Sequence, residues 1–370
     1  MTEKNNGSRL LIGILSMLIA LPTGLLVGMI GFRADKNMLL LYAVFLLSIG
    51  LAVILQTAVH EAGHMVFGLL TGFRFLSYRV LSLILSKEDG RLKLGRFSLP
   101  GTLGQCLMGV PADKDKKPYF LYNAGGVIFN LLSAMICYGI AFTSHNAFLA
   151  IFAAVNGMYD LILFVSNAIP FKGSGIANDG SNLLEMYRHP EAIDAFYKML
   201  AINELMMKDG RMKDVPETWI DMSETMLHTG GLGAANAVWL ENRLMDEHRF
   251  TEAEGLIQDI LEKDYPLLEY HRNALLLDQK YLDCLNGRFE DVTDQKLLKF
   301  IDASGTSSVS IIRYLYVRAL YRKDASEAEK YHNAFVSLEK GYPFRGEYQS
   351  EKEFMAIAKE RLKADEGGMI

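Results

Sequence analysis

The chain has 370 residues, half of them hydrophobic, and a formal net charge of −5. The first 180 residues carry 14 Lys and Arg against nine Asp and Glu, whereas the remainder carries 24 against 34. An acidic second half argues against nucleic acid as a partner. The three cysteines (Cys106, Cys137 and Cys284) are too few and too scattered for a zinc knuckle or a disulfide framework. The composition therefore predicts an apolar, weakly basic part followed by an acidic soluble part.

Four apolar stretches in the first half are long enough to cross a bilayer as helices. The first carries no charge from residue 10 to residue 32, which is too long for a signal peptide, and Pro22 is expected to kink it. The second is too long for one upright helix across ~30 Å of hydrocarbon, so it must tilt, bend or project. We therefore expect spans at about 10–32, 37–72, 119–143 and 147–169.

The segment between the second and third spans, 73–118, has a different pattern. Alternating side chains on either side of the turn pair Asp89-Gly90 predict a β-hairpin at the membrane surface, with strands near 78–86 and 91–97. The next stretch, 99–111, is apolar, rich in glycine and too short to span. It fits an interfacial or re-entrant loop and, equally well, a buried loop that packs on the hairpin.

The orientation of the spans follows from the basic residues. Nine Lys and Arg in 73–118 place this segment in the cytoplasm by the positive-inside rule: Arg74, Arg79, Lys87, Arg91, Lys93, Arg96, Lys114, Lys116 and Lys117. Both termini are then cytoplasmic, and the two outer connections, 33–36 and 144–146, are short. We expect an integral, multi-pass protein of a bacterial cell membrane.

The second half, from about residue 188, has the apolar periodicity of soluble helices. The pattern Arg-Phe-Thr-Glu-Ala at 249–253 recurs as Arg-Phe-Glu-Asp-Val at 288–292, and Ala-Ser-Glu-Ala follows at 325–328. Paired helices at this period favour tetratricopeptide-like stacking, with an ordinary helical bundle as the competing interpretation. The expected fold is an α-helical membrane protein with about four transmembrane helices and a membrane-surface β-hairpin, followed by an all-α repeat-like domain.

One motif in the second span carries chemistry: His60-Glu61-Ala62-Gly63-His64. On a helix, His60 and His64 lie one turn apart on one face and can bind one zinc ion. Glu61 can act as general base on a zinc-bound water. In a soluble helix this short pattern is often accidental. Inside a membrane span, buried ionisable side chains are costly, so we favour metal binding.

Further polar residues can complete this site, and each has two interpretations. Asp179 follows a break at Pro170 and precedes a helical pattern, so it is either a helix N-cap or the third ligand of a His₂Asp site. Asp160 is either structural, which we favour, or an alternative ligand. Asn130 either hydrogen-bonds a neighbouring helix or polarises a substrate carbonyl.

Three motifs, in this order, resemble the site-2 protease family of intramembrane zinc metalloproteases. The first is His60–His64; the second, Gly125–Asn130, is similar to the family's Ala-Gly-Pro-x-x-Asn stretch, with Gly125 and Val127 in place of Ala and Pro. The third is Asn167-x-x-Pro170 followed by Asp179-Gly180, at a longer interval than the family's common form. The resemblance covers roughly residues 37–187, and no PDZ or CBS module is recognisable.

The resemblance implies a function and a role for each residue. His60, His64 and Asp179 would bind Zn²⁺, Glu61 would be the catalytic base, and Asn130 and Asn167 would bind the substrate carbonyl or oxyanion. Residues 1–187 would form the transmembrane metalloprotease domain, and 188–370 a cytosolic helical domain that recruits a protein partner or the substrate. The substrate would be a transmembrane or membrane-bound peptide, cut near the cytoplasmic face. The alternatives are a catalytically silent membrane scaffold working through its helical repeats and, last, a metal transporter.

Overall fold

A computed structural model describes residues 2–34, 37–88, 90–99, 101–111, 117–173, 175–263 and 265–367. Several residues with a role in the sequence analysis lie outside this part: Asp35 and Lys36 in the first connection, Asp89 in the hairpin turn, and Lys114 and Lys116 among the basic residues. The described chain is mostly helical and forms two compact units. The first unit is Met1–Leu81, Leu103–Gly173 and Ala177–Arg188, and the second is Ser82–Thr102, Ser174–Ile176 and His189–Ile370.

The first unit is built on four long apolar helices and a shorter fifth. These are α1 (Thr2–Arg33), α2 (Met38–Leu70), α3 (Tyr119–Thr143), α4 (Ala147–Ala168) and α5 (Asp179–Arg188). By length and composition, α1 to α4 can each cross a membrane. Their bounds agree with the predicted spans to within a few residues, apart from the N-terminal start of α1. Helix α4 packs against the other three, and α2 also packs against α3.

The polarity of the helix surfaces is that of lipid-facing helices. Large apolar side chains on α1, α2 and α3 point outwards, with Leu25 at 71%, Leu39 at 75% and Phe142 at 70% exposure. The interior between these helices is mainly apolar, but Asn130, Asn156 and Asp160 are fully buried within it. A soluble four-helix bundle would instead have a polar outer surface.

Two antiparallel strand pairs lie between α2 and α3 in the chain. In the first unit, β1 (Arg74–Val80) pairs with β4 (Gly104–Gly109), with Tyr78 opposite Cys106. In the second unit, β2 (Leu83–Glu88) pairs with β3 (Arg91–Arg96). The predicted hairpin is therefore confirmed as the pair β2–β3. Phe97, which follows β3, packs in the second unit. The centroid of its ring lies 5.7 Å from that of Tyr342 and 5.5 Å from that of Phe344.

Two details of the 73–118 prediction are wrong. The predicted strand 78–86 is two strands, because Leu81 has a φ of 53° and ends the extended backbone of β1. The expected loop 99–111 contains β4, whose last four residues are buried within the first unit. Glycine-rich sequence hid this strand, since glycine has a low intrinsic preference for strands and only pairing with β1 stabilises it. Before α5, two-residue strands β5 (Lys172–Gly173) and β6 (Ile176–Ala177) follow α4.

The second unit is helical beyond its hairpin. Its helices are α6 (Glu191–Met206), α7 (Glu224–Leu227), α8 (Gly231–Asp246), α9 (Phe250–Glu262), α10 (Glu269–Leu285), α11 (Gln295–Ser304), α12 (Val309–Tyr321), α13 (Ala325–Leu338) and α14 (Arg345–Gly367). Short 3₁₀ turns lie at Met212–Asp214, Glu217–Trp219 and Gly305–Ser307. One apolar core runs through α8 to α14.

The predicted helix pairs occur at two of the three repeat positions. Helix α9 begins at the 249–253 pattern and packs on α8, and α13 begins at 325–328 and packs on α12. The middle copy, 288–292, is not helical, and α11 begins only at Gln295. Tetratricopeptide-like stacking remains a prediction, because the two regular pairs also fit a helical bundle.

A buried arginine stands at the centre of the second unit. Arg313 on α12 is 1% exposed, pairs with Asp278 on α10, and lies 2.8 Å from Oε2 of Glu351 on α14. Its guanidinium also lies over the ring of Tyr281, 4.7 Å from the centroid. Burial raises the pKa of Glu351 to about 8, although Arg313 opposes this shift. The network therefore joins α12 to α14 through a carboxyl group whose pKa is about 8.

This network predicts a pH dependence of stability. Folded Glu351 keeps a proton that the unfolded chain loses above about pH 4.5, so stability should fall as the pH rises from about 5 to 8. Scanning calorimetry of the full chain in detergent should show the second unit melting about 5–10 °C lower at pH 8 than at pH 5. Glu351→Gln should flatten this slope, whereas the exposed Glu262→Gln should not. An unchanged slope in Glu351→Gln would assign it to other groups.

Candidate metal centre

Helix α2 carries both histidines and Glu61, and all three side chains are buried in the first unit. His60, Glu61 and His64 are 8%, 7% and 8% exposed. This part of α2 packs closely against α3. A Cβ on Gly63 would lie only 2.2 Å from the carbonyl oxygen of Gly125. The backbones of α2 and α3 touch there, as expected for small residues between membrane helices.

The glycine pair on α3 shapes the room for the first histidine. A Cβ on Gly126 would lie 2.4 Å from Cε1 of His60, so the imidazole occupies the space that a side chain would need. Gly125 makes the helix contact and Gly126 accommodates the ring. The two adjacent glycines therefore serve two purposes, the close approach of α2 and the space for His60.

Asp179 reaches the histidines through a turn that Asn178 holds. The side-chain Oδ1 of Asn178 accepts hydrogen bonds from the backbone N–H groups of Phe171 and Ser181, at 3.0 and 2.9 Å. Its Nδ2 donates to the carbonyls of Ser166 and Ile169, at 2.6 and 2.7 Å. All four polar contacts of one amide therefore join the end of α4 to the start of α5.

The hydrogen bonds of Asn178 exclude one of the two interpretations of Asp179. The N-cap bond to Ser181 is made by Asn178, so the interpretation of Asp179 as the N-cap is wrong. The carboxylate of Asp179 instead faces the histidines, with Oδ2 at 3.2 Å from Nε2 of His60 and 3.4 Å from Nε2 of His64. Burial alone would raise the pKa of Asp179, but the two histidines hold it below its usual range.

The three facing atoms have the spacing of metal ligands. The Nε2 atoms of the two histidines are 3.2 Å apart, so with Oδ2 of Asp179 they form a nearly equilateral triangle. Bonds of roughly 2.0–2.1 Å in a tetrahedral zinc site give ligand–ligand separations of about 3.3–3.4 Å. Among the described residues, this trio is the group of His, Cys, Asp and Glu side chains that could hold a metal ion.

Hydrogen bonds on the far side of each ring set the tautomers. Nδ1 of His60 lies 2.6 Å from Oδ1 of Asn130, and Nδ1 of His64 lies 2.8 Å from the carbonyl oxygen of Tyr122. Both oxygens are acceptors, so each Nδ1 carries the proton and each Nε2 presents a lone pair. Oδ2 of Asp179 is buried and has no hydrogen-bond donor within the described chain. Three lone pairs converging without a proton fit a cation, and the residues thus suit zinc.

Glu61 lies beside the triangle, against the β1–β4 pair. A Cβ on Gly104 of β4 would lie 2.4 Å from Oε1 of Glu61, so glycine is needed for the strand to pass the carboxylate. Arg79 of β1 is 1% exposed and donates to the carbonyls of Leu81 and Gly104. Burial lowers the pKa of Arg79, and the nearby Glu61 carboxylate opposes that shift. Glu61 therefore sits in a buried setting with a cation close by.

The two asparagines with predicted catalytic roles are placed differently. Asn130 is fully buried and uses both ends of its amide within the protein, since Nδ2 donates to Oδ1 of Asp160 at 2.9 Å. Asn167 donates to the carbonyl of Leu163 in its own helix, and its backbone oxygen lies close to Gly180. The carbonyl-binding role of both residues stays a prediction.

Three contributors to this site were missed or only partly read from the sequence. Asn178 precedes a helical pattern, and this position is itself the N-cap signal that was assigned to its neighbour Asp179. Arg79 was counted only among the nine basic residues that orient 73–118, and nothing local distinguishes it from its neighbours in β1. Asp160 was expected to be structural, and its contact with Asn130 now links it to His60.

Comparisons with known proteins add no relative to this picture. A scan against protein-family models found no match, and searches of the curated proteins and of the solved structures found none either.

Proposed function

We propose that this protein is an intramembrane zinc metalloendopeptidase. The observation that carries the proposal is the triangle of His60, His64 and Asp179, with separations of 3.2–3.4 Å, beside the buried Glu61. Three protein ligands leave one tetrahedral position open, which is typical of catalytic zinc sites, whereas structural sites have four protein ligands.

The proposed location is a bacterial cell membrane, with four spans and both termini in the cytoplasm. His64 lies six residues before the end of α2 at Leu70, or about 9 Å along the helix axis. The centre would then lie within the hydrocarbon, below the face at which 73–118 emerges. A site at this depth is reached by a transmembrane or membrane-bound peptide, and we propose such a peptide as the substrate.

The chemistry follows from the residues in place. A zinc ion bound by the three ligands would polarise the scissile carbonyl and lower the pKa of water. Glu61 would take the proton of the attacking water and pass it to the leaving amine. Nδ1 of His60 donates to Oδ1 of Asn130 and Nδ1 of His64 donates to the carbonyl of Tyr122, and these two hydrogen bonds hold both imidazoles in the tautomer that the metal needs.

A silent scaffold is the competing function, and the setting of Glu61 favours catalysis over it. Burial of a carboxylate costs free energy, and a scaffold has no need of a general base beside three possible metal ligands. The second unit fits either function. In the peptidase, the second unit would recruit a protein partner or the substrate, which is the role expected of it from the sequence.

The test is metal dependence of cleavage by the full chain in detergent or in vesicles. The probe is a panel of single-span peptides with a Gly-Pro pair near the cytoplasmic end, since helical peptide bonds must be unwound before hydrolysis. We expect about one zinc per chain, loss of cleavage on chelation, and recovery on zinc addition. Zinc binding without cleavage of any peptide would overturn the peptidase and favour the scaffold. Absence of zinc would overturn the metal centre itself.

A further inference from the structure

A chain of three buried polar side chains runs from α4 to the first histidine. Oδ1 of Asp160 accepts a hydrogen bond from Nδ2 of Asn130 at 2.9 Å, and Oδ1 of Asn130 lies 2.6 Å from Nδ1 of His60. Asp160 and Asn130 are 0% exposed. The Gln56 amide on α2 also lies within hydrogen-bond distance of Asp160, at 2.9 Å. The carboxylate is thus held by groups on α2 and α3.

The carboxylate decides which way the Asn130 amide faces. An asparagine amide has an acceptor end and a donor end, and a neutral imidazole can pair with either one by changing tautomer. A carboxylate only accepts, so Nδ2 of Asn130 must face Asp160 and Oδ1 must face His60. That oxygen in turn requires the proton on Nδ1 of His60. The reversed amide would favour the proton on Nε2, which faces Asp179.

We propose that Asp160 is a positioning residue for the metal centre, acting through Asn130 on the tautomer of His60. The inference rests on the proposed metal site and adds a second carboxylate to it, one that is not a ligand. Because both residues are fully buried, water is excluded from the chain and cannot replace either hydrogen bond. Removing the carboxylate should therefore weaken metal binding without displacing any ligand.

The test is zinc affinity of the full chain in detergent, measured by competition with a chromophoric chelator. Asp160→Asn keeps the shape but allows either amide orientation, so we expect 10–100-fold weaker binding, as for other outer partners of metal-bound histidines. The exchanged pair Asn130→Asp with Asp160→Asn should restore affinity to within a few-fold. In this double variant, the new carboxylate on α3 accepts a hydrogen bond from Nδ1 of His60, and the new amide on α4 donates one to that carboxylate.

The exchange separates positioning from packing, because a structural role would not be rescued by reversing the polarity. The absorption spectrum of bound Co²⁺ should change in Asp160→Asn and return in the exchanged pair. As a control, Ser48→Ala removes a buried hydroxyl that donates to Val44 within α2, and it should bind zinc like wild type. Unchanged affinity in Asp160→Asn, or no rescue by the exchange, overturns the positioning role and leaves the peptidase intact. A wild-type protein without zinc overturns the proposed function instead.

Discussion

Glu61→Gln is expected to bind about one zinc per chain and to cleave membrane peptides about 10²–10⁴-fold more slowly than wild type. The amide fills the space beside Gly104 that the carboxylate fills, so the fold and the three ligands are undisturbed. What disappears is the ability to accept a proton from water. Retained zinc is therefore the variant's own control for folding.

Glu61→Asp provides a graded comparison. It keeps the carboxylate but withdraws it by one methylene group, so activity should lie between that of Glu61→Gln and wild type. The measurements are zinc content and initial cleavage rate, at equal protein concentration. A Glu61→Gln protein that cleaves at the wild-type rate would remove Glu61 from the mechanism and assign proton transfer to another group.

Asp179→Ala is expected to weaken zinc binding by more than the 10–100-fold that is typical of outer-shell partners, because it removes a ligand itself. The turn around it should persist, since Asn178 and not Asp179 caps α5 and bonds to the end of α4. Loss of zinc with an unchanged melting temperature of the metal-free protein is therefore the expected result, by chelator competition and calorimetry.

Asn178→Ala is the matched variant for this prediction. It leaves the Asp179 carboxylate in place but removes the four hydrogen bonds of the Asn178 amide. The metal-free protein should therefore have a lower melting temperature, and zinc affinity should fall less than in Asp179→Ala. If Asp179 were only a cap, its replacement would cost about 1 kcal/mol of stability and leave zinc affinity unchanged. That outcome would contradict the His₂Asp centre.

Features set by length and local pattern were predictable from this sequence. The apolar runs predicted the four long helices, and the spacing of His60 and His64 predicted two imidazoles on one helix face. The turn at Gly90 gave the hairpin of β2 and β3. Each of these depends on residues close together in the chain, where periodicity is informative.

Features that depend on distant partners were not predictable in the same way. Strand β4 forms because it pairs with β1, about thirty residues earlier. The link from Asp160 through Asn130 to His60 joins three helices, and no spacing rule connects them. The capping role of Asn178 could have been predicted, because capping residues precede their helix. The sequence analysis considered the neighbouring Asp179 for the N-cap instead.

The contact between Gly63 and Gly125 restricts the directions from which a peptide can approach the candidate metal centre. With the backbones of α2 and α3 touching at the level of His64, no polypeptide can thread between these two helices. This side of the candidate metal centre is therefore closed to a peptide. A peptide must arrive from another side. Larger residues at either glycine would push α2 and α3 apart and would not create a path for a peptide.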